Sequence, residues 1–173
     1  MRCSDPGPRA PTAIHAFRGP GVAELGSLGG RMIPGITANP NEEAAIWDGF
    51  SSWADHFRAA FGARGIDFLI QSYEQLVRSL ETQTCAHSAD YASCCGDFYE
   101  FTNDLSVRDA VQIVLDAVCE AERGRIGARV APIDERYRRQ QVGSEFFLGK
   151  GAEARYGQTK YWWYYGLPRG VRP

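Results

Sequence analysis

The chain has 173 residues, 44% hydrophobic and 23% charged, with a formal net charge of −2. That length leaves room for one domain plus extensions, and a composition close to the globular average excludes wholesale disorder. The longest apolar runs are interrupted by charges within a few residues, well short of the ~20 needed to cross a bilayer, so a membrane-spanning role is excluded.

Residues 1–38 carry five prolines and seven glycines with no sustained periodicity. Such a segment buries too little apolar surface to offset the entropy of ordering it, which predicts a disordered leader over 1–38. Met32 is the only methionine after Met1, so residues 1–31 read either as that leader or as an extension from a misplaced start. No basic n-region followed by an apolar h-region opens the chain.

The first helix announces itself at Asn39-Pro40-Asn41-Glu42, a capping residue followed by Pro at the first helical position and Glu three after the cap. Ile46, Phe50, Trp53, Phe57 and Phe61 continue as one stripe, and Gly62 and Gly65 end it. A second helix runs from Asp67 to about Gln83, with Leu69, Ile70, Tyr73, Leu76, Val77 and Leu80 inward, and the short link makes the pair antiparallel. From Thr84 to Asn103 periodicity fades, leaving Phe98, Tyr99 and Phe101 to a short helix or a loop packed on the core.

A third helix starts at Ser106, with Asp109 three residues on as a capping-box-like partner. Its apolar face is Val107, Ala110, Val111, Val114, Leu115 and Val118, with Asp109, Asp116 and Glu120 opposite. Gly124 and Gly127 weaken it and Pro132 breaks or kinks it, after which 133–140 resume as a short basic helix. Beyond Val142, aromatics bounded by glycines predict strands at 144–148 and 159–165, paired as a small hairpin. The fold class is therefore mainly α, an antiparallel bundle of about three long helices, with a leader over 1–38, an acidic helical body over 39–142 and a basic aromatic extension over 143–173 packed on it.

Charge is segregated along this plan. Residues 39–122 hold 4 cations and 15 anions, a net of −11, while residues 123–173 hold 11 and 4, a net of +7. Asymmetry of this kind bears on association rather than on fold. Three readings follow: the basic extension folds over the acidic helices and the fields cancel, the acidic face meets a basic partner protein, or the extension meets a polyanion. Arg136, Arg138, Arg139, Arg155 and Lys160, interleaved with Trp162 and Tyr164, are the contact residues for the last reading, because bases stack on rings while phosphates attract cations. If Tyr161, Trp163 and Tyr165 face inward on a strand, Trp162 and Tyr164 form a leftover face.

The chain has five cysteines, Cys3, Cys85, Cys94, Cys95 and Cys119, an odd count that favours reduced thiols in a cytoplasmic compartment over a disulfide framework. Cys85, His87, Cys94 and Cys95 are metal-capable and close in sequence, but one-residue and zero-residue separations fit zinc ligation poorly, and cysteines packed under a loop account for them as well. His87 near Cys85 is the minimal requirement for a cysteine nucleophile and no more. Glu74, Glu81, Asp109, Asp116 and Glu120 are carboxylates suited to acid–base work or a hard cation, and equally to a solvated helix face. Gly149-Lys150-Gly151 is too short for a phosphate loop. The reading that results is a non-catalytic cytoplasmic protein that binds another protein, inhibitor- or immunity-like, with no cofactor. Single-stranded nucleic-acid binding and a small metal- or cysteine-dependent enzyme stand as alternatives.

Overall fold

The computed structural model describes residues 32–85, 91–92, 96–149 and 156–172. Among these the chain is mainly helical: α1 (Pro40–Gly49), α2 (Asp55–Thr82), α3 (Phe98–Ala117) and α4 (Glu120–Gln140), then strand β1 (Gln141–Phe146), a 3₁₀ turn over Trp162–Tyr164 and strand β2 (Tyr165–Pro168). The leader expected over 1–31 lies outside the described residues. Residues 33–37, assigned by composition to the same leader, are bound to the body: Ile33 is buried, the Thr37 amide donates to Glu122 at 2.9 Å, and the Ile66 amide donates to the Pro34 carbonyl at 3.3 Å.

Asn39 caps α1 as its sequence requires, accepting from the Asn41 and Glu42 amides while Glu42 accepts from the Asn39 amide. The stripe from Ile46 to Phe61, however, is not one helix. It breaks between Phe50 and Ala54, because the turn lets Phe50 meet Phe57 and Phe61 at ring separations of 5.5 and 4.8 Å in one edge-to-face cluster, an arrangement that adds stabilisation beyond area burial. Gly49, at the end of α1, admits Ile113 of α3 so closely that a β-carbon would stand 2.4 Å from its methyl group.

A glycine does interrupt the chain where the sequence expects it. Gly65 takes φ 59 and ψ −141 inside α2, a conformation restricted to glycine, and a β-carbon there would stand 1.7 Å from the Pro34 carbonyl oxygen. Beyond it, Leu69, Ile70, Tyr73, Leu76, Val77 and Leu80 are all buried, as their spacing predicts.

α3 corrects the expected start at Ser106. It begins eight residues earlier, because Asp97 accepts from the Tyr99 and Glu100 amides at 2.9 and 3.3 Å and supplies the N-cap. Ser106 instead bonds the Asn103 carbonyl from inside the helix. The helix also stops sooner than expected, at Ala117, and α4 runs through Pro132 to Gln140. The missing amide of Pro132 falls on the exposed side of α4, while Ile126, Val130, Ile133 and Tyr137 are buried on the other, and that burial outweighs the lost bond. α3 packs on α1, α2 and α4, and α2 on α4.

The antiparallel hairpin exists with other boundaries: Gln141 pairs with Pro168, Val142 with Leu167 and Phe146 with Tyr165. Four steps along β1 against two along β2 make a bulge over Gly143–Glu145, which twists the strand and blunts its free edge. The aromatic run is largely a 3₁₀ turn instead of a strand. With three residues per turn, consecutive side chains can share an inner side, which a strand's alternation forbids, and the neighbours Trp163 and Tyr164 are both buried.

Candidate functional site

Trp163 sits at the centre of the polar core. Its ring has no solvent exposure, its indole NH donates to Asp109 at 2.9 Å, and its carbonyl accepts from the Tyr137 hydroxyl at 3.0 Å. Tyr164 donates to the other Asp109 oxygen at 2.7 Å. Asp109 therefore does not face solvent as its helical position suggests; it is the acceptor that fastens the aromatic turn to α3. Burial, reinforced by the Asp109 charge, pushes the Tyr164 pKa well above its ordinary value, and burial alone does the same to Tyr137.

Across Trp163 lies the guanidinium of Arg108, 4.2 Å from the ring centre. Arg108 donates to both oxygens of Asp134 on α4, at 2.9 and 3.0 Å, with 4% and 7% of the two residues exposed. Its third arm reaches Gln112 at 3.3 Å, Gln112 donates to Asp116 at 2.9 Å, and Asp116 holds Lys160 at 2.7 Å. Alternating charge and amide thus connect the centre of the protein to its surface and tie α4, α3 and the segment before the turn together. The side chains of this cluster are committed to one another: its acids accept from named donors, and its one buried cation is covered on a face by Trp163. Sequence reasoning missed Arg108 and Asp134 as a site.

Two groups of the remaining basic residues bear on the charge readings; Arg78, Arg123 and Arg172 belong to neither and make no ion pair among the described residues. Arg136 is engaged, donating to Glu81 at 3.0 and 2.7 Å and to Glu74 at 3.3 Å, and these bonds hold the Glu81 carboxyl below its ordinary pKa. Lys160 is engaged by Asp116, whose hydrogen bond raises its pKa, and Arg129 by Asp67 at 2.6 Å. Asp67, Glu74, Glu81 and Asp116 of the helical body are in this way met by cations of the C-terminal third.

Arg138, Arg139 and Arg169 form the second group. Arg138 lies 3.8 Å over the Trp162 ring with Glu135 only at 4.0 Å, and Arg139 is 3.5 Å from the same carboxylate, its side chain 68% exposed. Arg169 is exposed and reaches the same end of the protein because its amide bonds the Gln140 carbonyl at 3.0 Å; among the described residues its side chain makes no ion pair. Val142, 56% exposed, follows in β1.

Trp162 is half-buried beneath Arg138, with edge contacts to Tyr137 and Trp163. Tyr164 is buried, which removes it from the expected leftover face. Arg155, His87, Cys94 and Cys95 lie outside the described residues. Cys85 is half-buried and lines an open cleft of about 600 Å³ on the outer side of α2 with Glu74, Arg78 and Thr84. Among the described residues, no three His, Cys, Asp or Glu side chains converge as metal ligands, and no helix is long and apolar enough to cross a membrane. The chain matches no protein-family model, and comparison with curated proteins and with solved structures gave no match.

Proposed function

We propose that this is a non-catalytic protein-interaction module of the cytoplasm, an antiparallel helical bundle that engages another protein through the arginine end formed by the last turn of α4 and the chain after β2. One observation carries the reading: Arg125, Arg129, Arg136 and Lys160 each meet a carboxylate of the protein itself, whereas Arg138 and Arg139 share the one Glu135 carboxylate at 4.0 and 3.5 Å and Arg169, whose amide bonds Gln140 at the same end, pairs with none among the described residues. The contact is thereby moved from the acidic face, where an inhibitor- or immunity-type protein would present it, to the basic end. Asp67, Glu74, Glu81 and Asp116 are already occupied on the acidic side. Arginine is enriched at protein interfaces because its planar fork makes paired hydrogen bonds and stacks on rings.

The test is quantitative affinity capture with the wild-type chain and the double variant Arg139→Glu/Arg169→Glu. A stoichiometric protein held by wild type and released by the variant is the expected result. An identical captured set, or no stoichiometric protein at all, overturns it.

A further inference from the structure

The arginine end has a definite shape. The Arg138 guanidinium carbon stands 3.8 Å over the centre of the Trp162 ring, which holds the group in place, and its planar fork of N–H donors suits a two-oxygen acceptor. Arg139 is the next residue on α4, and Arg169 enters from a separate segment beside Gln140. Attraction of cations to the negative C-terminal end of a helix accounts for Arg138 and Arg139, but not for an arginine delivered by the chain after β2. Val142 adds an exposed apolar side chain at the margin.

Resting on the reading above, we infer that the partner contacts this end with a short acidic polypeptide segment: carboxylates on Arg138, Arg139 and Arg169, and an apolar side chain on Val142. Two observations favour a polypeptide over a nucleic acid. Bases need open ring faces, and here Trp162 is covered by Arg138, Tyr164 is buried and held by Asp109, and Tyr165 packs on Phe146 with its hydroxyl on the Tyr156 carbonyl. The basic area is also bounded, since Glu145 is exposed on β1 and Glu135 lies within reach of both α4 arginines. A long polyanion would run from the cations onto carboxylates, whereas a few acidic residues would not.

Short poly-L-glutamate and an oligothymidylate of matched charge are titrated separately into the full chain and followed by amide chemical shifts. Poly-L-glutamate is expected to move the amides of residues 138–142 and of Arg169 and Gly170, to bind about tenfold more weakly to Arg139→Gln/Arg169→Gln and to its Glu counterpart, and to lose affinity as salt is raised. Arg129→Gln, which alters the Asp67 pair instead, is expected to change affinity less than about twofold. Circular dichroism and the thermal midpoint of each variant confirm that it is folded. Tighter binding of the oligothymidylate at the same amides, or no shift of those amides by either polymer, overturns the inference. If poly-L-glutamate fails while the captured protein is still lost from the double variant, the arginine end stands and only the acidity of the partner falls. If capture is unchanged, the site itself falls.

Discussion

Replacing Arg108 with Met keeps most of the side chain's length and strands the Asp134 carboxylate among buried groups. Breaking a buried ion pair from one side costs about 3–5 kcal/mol. Here the two bonds are 2.9 and 3.0 Å long with both partners more than nine-tenths buried, which places the cost at the upper end. Losing the guanidinium over Trp163 adds up to ~2 kcal/mol for a desolvated cation–π contact. Asp134→Leu strands the guanidinium in the same way. The double variant Arg108→Met/Asp134→Leu removes both charges at similar volume, and such replacements are often neutral or stabilising, so it is expected within about 2 kcal/mol of wild type. Urea unfolding followed by tryptophan emission gives the four stabilities, and the cycle gives a coupling energy of at least about 3 kcal/mol. In heat, at about 2–4 °C per kcal/mol for this size, a loss of about 3–5 kcal/mol lowers the melting point of each single variant by roughly 6–20 °C, and the lost cation–π contact takes Arg108→Met up to roughly 28 °C. Single effects below about 1 kcal/mol, or a double variant that simply adds them, would refute a desolvated pair as the link between α3 and α4.

Three further outcomes follow from the geometry. Gly65→Ala forces a β-carbon onto the Pro34 carbonyl at a backbone angle only glycine tolerates, and is expected to lower stability by about 3 kcal/mol or more; a melting temperature equal to wild type would show that residues 33–37 do not lie against α2. Asp109→Ala leaves the Trp163 indole and the Tyr164 hydroxyl without their acceptor, at about 1–3 kcal/mol for each stranded donor, with a red shift of tryptophan emission as the turn loosens; unchanged emission counts against it. Tyr73, Tyr137 and Tyr164 have pKa values raised chiefly by burial. The fold therefore holds their neutral forms, and this stability is complete below the ordinary value near 10 and is lost as pH rises through the folded pKa values. Ultraviolet titration at alkaline pH should show three of the eight tyrosines ionising abruptly together with loss of helical dichroism, and a smooth eight-tyrosine curve without unfolding would contradict it.

Local signals in the sequence were legible where one principle acted alone. The Asn39 cap with Glu42, and the second helix's six inward positions, needed only hydrogen-bond spacing and periodicity. The break after Phe50 was not legible, since period-four aromatics look alike whether a helix continues or turns so that its rings can meet. Pro132 misled for the opposite reason: a local penalty was overridden by the buried face of α4. Arg108 did leave a trace. It falls three residues from both Leu105 and Val111 in the stripe of α3, as Asp134 falls four after Val130 and three before Tyr137 in α4. An opposite pair of charges, each inside an apolar stripe, signals a buried bridge. Trp163 and Tyr164 facing inward together could not be seen, because aromatic composition favours a strand and only tertiary contact with Asp109 selects the tighter turn.

The placement of Trp163 also bears on biosynthesis. On the ribosome α1 to α4 are made before residue 163 is, so the emerging chain lacks the ring that covers Arg108 and donates to Asp109 until that indole arrives. Completion of this core therefore waits on the synthesis of the aromatic turn, and a chain paused short of Trp163 exposes apolar surface of the kind that chaperones and proteases recognise.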